Sequence, residues 1–122
     1  MLKVMLIEDD RTMLSLLSTL LQMEGFEVKT PVDDQMKSLL DAFHKERPNI
    51  ALVDVNLRIG SGSGLDLLRK IRKDPDIKDI RILMSSGLNV KHECMKAGAD
   101  GFILKPYMPD DLIKLIHKTI KK

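Results

Sequence analysis

The sequence is poor in the residues that most often announce a special environment. It holds one cysteine, no tryptophan, one tyrosine and three phenylalanines in 122 residues. The lone Cys94 forms no internal disulfide, and no Cys/His spacing matches a zinc site. Neither a disulfide scaffold nor a structural zinc domain is expected. No apolar run approaches the roughly 20 residues that span a bilayer, so no membrane insertion is expected. Met1 leads directly into a strand-like run too short and too weakly flanked for a signal peptide. An excess of one charge is missing too. Twenty basic against 18 acidic residues give a net charge of +2, little reason to expect direct nucleic-acid binding. A reducing cytoplasm is the simplest home.

What is present is apolar and periodic. Hydrophobic residues make up 43% of the chain, enough for one core. No repeat or long linker divides it, so one domain over residues 1–122 is expected. Lys3 to Ile7 is a short apolar run. From Thr12 to Met23, Met13, Leu16, Leu17, Leu20 and Leu21 recur at helical spacing, with Gly25 as the C-cap. Phe26 to Thr30 reads as a second strand. Asp33 or Asp34 is placed to cap a helix carrying Met36, Leu39, Leu40 and Phe43, which Pro48 ends. Ile50–Val53, Ile80–Met84 and Gly101–Leu104 read as strands. Leu65–Arg72, Lys91–Lys96 and a last segment begun at Asp110 or Asp111 read as helices. This strict β-α alternation, with continuous apolar strands, predicts a doubly wound five-stranded parallel sheet with helices on both faces.

Ligands of such folds bind beyond the carboxyl ends of the strands. There the first strand delivers Glu8-Asp9-Asp10, the third Asp54, the fourth Ser85-Ser86-Gly87 and the fifth Lys105-Pro106. Each has an ordinary reading when taken alone. Asp10 caps a helix, Asp54 is a turn residue, the serines are loop chemistry, and Lys-Pro is a turn with a solvated lysine. Gly60 to Gly64, GSGSG, lacks the Lys-Ser/Thr of a P-loop and reads as a flexible loop. His44, His92 and His117 stand in helical stretches without partner spacing and read as surface residues, and the eight methionines as core filler. Together, however, the strand ends bring carboxylates, a hydroxyl and an ammonium to one edge. Clustered carboxylates repel. Mg²⁺, a hard cation that takes few carboxylates and keeps several waters, fits that repulsion, with Asp54 as nucleophile toward a phosphoryl donor.

The segments VMLIEDD, IALVDVNL, ILMSSG and AGADGFILKPY, in this order and covering essentially the whole chain, resemble the receiver domain of two-component response regulators. The resemblance implies the (βα)5 flavodoxin-like receiver fold. It implies Asp54 as phosphoacceptor and Lys105 as the lysine that bonds the phosphoryl group, followed by Pro106 in a cis bond. Mg²⁺, or Mn²⁺ in its place, would be held by Asp9, Asp54 and the Asn56 backbone carbonyl, with Glu8 acting through water. Ser86 would be the switch hydroxyl, with Ser85 the runner-up, and Phe102 the switch aromatic. Asn56 and Leu88 would flank the hydrolytic water. The implied donors are a sensor histidine kinase, a phosphotransfer protein or a small phosphodonor. The implied output is a change in the surface of the fourth helix, fifth strand and fifth helix toward an effector domain or protein, with homodimerisation on phosphorylation. The domain would be a signalling module rather than an enzyme.

Two departures from the family pattern stand out. Arg58 occupies a slot where the pattern has proline, within a longer loop, RIGSGSG. The span from Ser86 to Lys105 is shortened, so the common dimer through the fourth helix is not expected to transfer unchanged. Competing functions fit less well. A pseudo-receiver, the same fold used only as a binding module, has no use for the full set of Glu8, Asp9, Asp54, Ser86 and Lys105. A haloacid-dehalogenase-type phosphatase places its nucleophile after the first strand with a second Asp two residues on, whereas here the +2 residue is Asn56. A flavodoxin-like redox role lacks a Ser/Thr-rich phosphate loop after the first strand.

Overall fold

The computed structural model describes residues 1–31 and 33–121. Val32 and Lys122, both inside the expected 1–122 domain, lie outside the described residues. In chain order the elements are β1 (Lys3–Ile7), α1 (Arg11–Met23), β2 (Glu27–Lys29), α2 (Met36–Glu46) and β3 (Ile50–Asp54). A pair of two-residue strands follows, β4 (Arg58–Ile59) and β5 (Gly62–Ser63). Then come α3 (Gly64–Lys73), β6 (Arg81–Ser86), α4 (Lys91–Lys96), β7 (Gly101–Leu104) and α5 (Pro109–Ile120). The main sheet runs β2-β1-β3-β6-β7, every neighbour parallel. The strand order reverses between β1 and β3. That crevice is where a doubly wound sheet holds its ligand.

The strands are apolar on both sides because both sides are covered. Met5, Ile7, Ala51, Val53, Ile82 and Met84 bury one face beneath Leu39, Phe43, Leu67, Leu68 and Ile71 of α2 and α3. The alternate residues Val4, Leu6, Ile50, Leu52 and Leu83 bury the other beneath Leu17, Leu21, Leu112 and Ile116 of α1 and α5. Full burial of a Leu, Ile or Phe side chain contributes about 1.5–3 kcal/mol. The two layers therefore hold the central strands β1 and β3 from both sides, which fixes where each strand ends.

The expected alternation is present, with a short hairpin inserted between β3 and α3, and the other differences lie at element ends. Asp10 caps α1 by accepting from the Met13 N–H at 3.1 Å, and Gly25 follows the helix at φ +95°. Neither Asp33 nor Asp34 caps α2. Its N-cap is Gln35, without a side-chain bond, and Asp33 Oδ1 instead accepts from the Gln35 N–H at 2.9 Å. The last helix starts at Pro109, one residue before the expected acids, with Asp110 and Asp111 in its first turn. Proline suits that position because the N–H it lacks would have no partner there.

GSGSG is not an irregular loop. Its residues 60–63 are the turn and second strand of the β4–β5 hairpin, where Arg58 pairs with Ser63 and Ile59 with Gly62, and Gly64 opens α3. Gly60 turns the chain at φ +60°, and Ile59 is buried at 1% exposure. Ser63 then closes a capping box with Asp66 at the start of α3. His44 is also more than a surface residue: its two ring nitrogens lie 2.8 Å from Asp74 and Asp76 carboxylate oxygens. Its partners are about thirty positions away, so helical spacing gave no sign of them.

Candidate functional site

Glu8 and Asp9 leave the end of β1, and Asp54 is the last residue of β3. β1 and β3 pair in register up to Ile7 and Val53, so both chains reach the same edge together. One carboxylate oxygen from each of Glu8, Asp9 and Asp54 lies within 4.8 Å of the others. The Asp54 side chain is 12% exposed and that of Glu8 9%. Lys105 follows β7 and is anchored by its N–H, which donates to the Ser86 carbonyl at 2.8 Å. Its ammonium reaches across β6 to Glu8 Oε2 at 3.0 Å and Asp54 Oδ2 at 3.2 Å. Partial burial by itself lowers the Lys105 pKa. The hydrogen bond to Glu8 and the charge of Asp54 outweigh it, so the net shift is upward and the ammonium is held charged.

The backbone beyond Asp54 is shaped around it. Asp54 Oδ1 accepts from the Asn56 N–H at 3.0 Å. Asn56 Nδ2 donates to Ser86 Oγ at 3.2 Å, and Ser86 Oγ also accepts from the Leu88 N–H at 3.1 Å. Asp54 and the Ser86 hydroxyl are thus linked through one asparagine. Ser85 is the register partner of Asp54, yet its buried hydroxyl has no hydrogen-bond partner among the described residues. Phe102 is half-buried on β7 opposite Met84 and packs with the α2–α3 core layer. Leu88 is 70% exposed. Lys105-Pro106 is cis, as expected.

Two contributors escaped the sequence reading. Gly64, the first residue of α3, lies against Asp54: a Cβ built on it would meet the Asp54 carbonyl oxygen at 1.9 Å. Only glycine lets α3 begin this close to the acidic residue. The Ser63-x-x-Asp66 capping pattern was a visible sign that a helix starts here. Tyr107 is the second. It stands two residues after Lys105 and packs against the α1–α5 core layer, where burial raises its phenol pKa to about 12.

The donor set is that of a hard-cation site. Three carboxylates against one ammonium leave two negative charges uncompensated, and all donors are oxygens. A divalent ion such as Mg²⁺ fits both conditions.

Comparison with known proteins agrees with this geometry. The family model described as "Response regulator receiver domain" matches residues 4–117. The "Probable transcriptional regulator ycf27" of Galdieria sulphuraria is 30% identical over 120 residues, covering 98% of this chain and 46% of that protein. The chain therefore spans about half the length of that relative. The two-component response regulator ORR5 of Oryza sativa subsp. japonica is 27% identical over 121 residues, covering 97% of this chain and 88% of that one. Among solved structures, the chemotaxis response regulator CheY4 of Vibrio cholerae superposes with a TM-score of 0.85 at 28% identity, over 98% of both chains. A CheY-like receiver domain protein of Methanospirillum hungatei gives 0.84 at 26% identity, over 99% of this chain and 94% of that one.

Proposed function

The chain belongs to the response regulator receiver domain family, and from that premise we propose that it takes a phosphoryl group onto Asp54 and signals by a change of surface. The observation that carries the reading is Asp54 itself. It ends a central strand, nearly buried, with one oxygen on Lys105 and the other on the Asn56 N–H. The donor is a phosphohistidine of a sensor kinase or phosphotransfer protein, or a small phosphodonor. An Asp54 carboxylate oxygen attacks phosphorus, the bond to the donor nitrogen or oxygen breaks, and the leaving atom keeps the electron pair. The product is an acyl phosphate. Lys105 offsets charge on the transferring oxygens, and fixed positioning supplies most of the acceleration.

Asp9, Asp54 and the Asn56 carbonyl, with Glu8 through water, are the proposed holders of Mg²⁺ or Mn²⁺, whose chemistry when bound is to neutralise phosphoryl charge. Ser86 then turns from Asn56 toward the phosphoryl group, and Phe102 follows into the space beside it. The period-2 alternation of β6 supports this pairing, because Ser86 lies on the same sheet face as Met84, the partner of Phe102. The α4, β7 and α5 surface is the output toward an effector domain or protein, and homodimerisation on phosphorylation belongs to the same reading, with a geometry other than the common dimer through the fourth helix. Asn56 and Leu88 flank the water that ends the signal. Leu88 is the apolar one, and it slows that hydrolysis. The domain is a signalling module that assists its own transfer. Its proposed place is the cytoplasm, the reducing setting that suits a single free cysteine.

Acetyl phosphate with Mg²⁺ is expected to add one phosphoryl group to the wild type and none to Asp54→Asn, read by intact-protein mass. Equal labelling of both would overturn the assignment. A wild type that takes no label would favour a binding module that works without phosphorylation.

A further inference from the structure

An anionic phosphodonor faces an electrostatic obstacle on its way to this site. Besides the three clustered carboxylates, a cavity of about 650 Å³ beside them is lined by Glu8, Asp9, Asp33 and Asp34. Two arginines, Arg11 and Arg58, line the same cavity. Neither side chain makes a hydrogen bond or ion pair among the described residues. Arg11 belongs to α1, and it also lines a shallow depression along that helix. Arg58 is placed differently. It lines a second cavity of about 370 Å³ shared with Asn56, whose N–H bonds Asp54. Its backbone is fixed by pairing with Ser63 and by the buried Ile59 beside it, while its side chain stays exposed. A guanidinium without a partner among the described residues, on a backbone-paired hairpin, among carboxylates and next to the acceptor strand, is free for an incoming anion. Its planar fork matches phosphate oxygens.

We infer that Arg58 is a specificity-determining residue for the phosphodonor: its guanidinium draws small acyl phosphates into this cavity and holds their phosphate oxygens on the way to Asp54. The inference rests on the reading of Asp54 as acceptor. In the step it serves, an Asp54 oxygen attacks phosphorus, the bond from phosphorus to the acyl oxygen breaks, and the carboxylate leaves with the electron pair.

The test is the initial rate of Mg²⁺-dependent labelling as acetyl phosphate concentration is varied. Arg58→Ala is expected to lower the slope about three- to fivefold, the size expected of one exposed charge contact. Arg58→Lys should keep more than half of the wild-type slope. Lys70→Ala, which removes a positive charge on α3 that lines neither of these two cavities, should keep all of it. The gap between wild type and Arg58→Ala should close in about 1 M salt, where the screening length is about 3 Å. A second readout needs no transfer. Acetylphosphonate, which cannot donate, should shift the Arg58 Nε–H NMR signal of the wild type.

The outcomes separate the two ideas. Labelling of Arg58→Ala at the wild-type slope, with Asp54→Asn unlabelled, would overturn the inference and leave the acceptor in place. A phosphonate-induced shift at Arg58 in a wild type that takes no label would keep the anion site and overturn the acceptor. An equal loss in Arg58→Ala and Lys70→Ala would reduce Arg58 to a share of net charge and overturn the inference.

Discussion

Ser85 and Ser86 are neighbours in sequence with opposite surroundings. Successive strand residues point to opposite sheet faces. Ser86 Oγ is bonded to Asn56 and the Leu88 N–H, and shares the face of Phe102. Ser85 Oγ is buried on the other face without a partner among the described residues. An unpaired buried hydroxyl is costly, whereas a bonded one contributes about 0.5–1.5 kcal/mol. Ser85→Ala is therefore expected to melt at the same or a higher temperature and to be labelled normally. Ser86→Ala is expected to lose about 1 kcal/mol and still be labelled, but to show a weaker shift of the Phe102 ring signals when beryllofluoride stands in for the phosphoryl group. Thermal melts and NMR on the pair check this. A blunted Phe102 response in Ser85→Ala alone would exchange the roles of the two serines.

At the scale of elements, the connection after α3 is tied to the end of α2 by charge. His44 near the α2 terminus lies between Asp74 and Asp76, and Arg47, at φ +45° just past the helix, also bonds Asp76. Hydrogen bonds to Asp76 and then Asp74 raise the His44 pKa above its ordinary 6.5. Bonds from Arg47 and then His44 lower that of Asp76 below 3.8. The signs define a window. The His44 contribution is complete below pH 6.5 and is lost as pH rises through the raised folded value. The Asp76 contribution is complete above pH 3.8 and is lost as pH falls through the lowered one. The melting-temperature gap between wild type and His44→Gln should be largest between those limits and shrink above 6.5, and an unchanging gap would remove His44 from the network. This link also marks where the sequence stopped being legible. The β-α alternation could be read because a sheet buried on both faces writes each strand as an unbroken apolar run. The acids and lysine at the strand ends could be read because the topology puts those ends on one edge. The hairpin could not: its strands are two residues long, and glycine and serine write no pattern of burial. Nor could the His44 pairs, whose partners meet only after α2 and α3 pack.

For the molecule as a whole, a net charge of +2 hides a strong local imbalance. Glu8, Asp9 and Asp54 are gathered at one edge, and among the described residues Lys105 is the only cationic side chain bonded to them. The unfolded chain keeps Asp54 far from the adjacent Glu8 and Asp9, so the repulsion between Asp54 and those two belongs to the folded state alone. At a few ångströms in partly solvated surroundings, each like-charge pair costs on the order of 1 kcal/mol or more. A cation that binds only the folded arrangement stabilises it by mass action. At tenfold excess over Kd the gain is about 1.4 kcal/mol. For a chain of this size that is a rise of roughly 4–7 °C in Tm. Mg²⁺ is expected to raise Tm on this scale and EDTA to reverse it, with weak affinity because most of the ion's shell stays water. Asp9 is the exposed member of the three, and it makes no bond to Lys105. Asp9→Ala should therefore fold well, melt no lower than wild type without metal, and lose most of the Mg²⁺-dependent rise. Calorimetric scans of both proteins with and without Mg²⁺ check each part. A rise of equal size in the variant would take Asp9 out of the metal site and leave Glu8 and Asp54 to hold the ion.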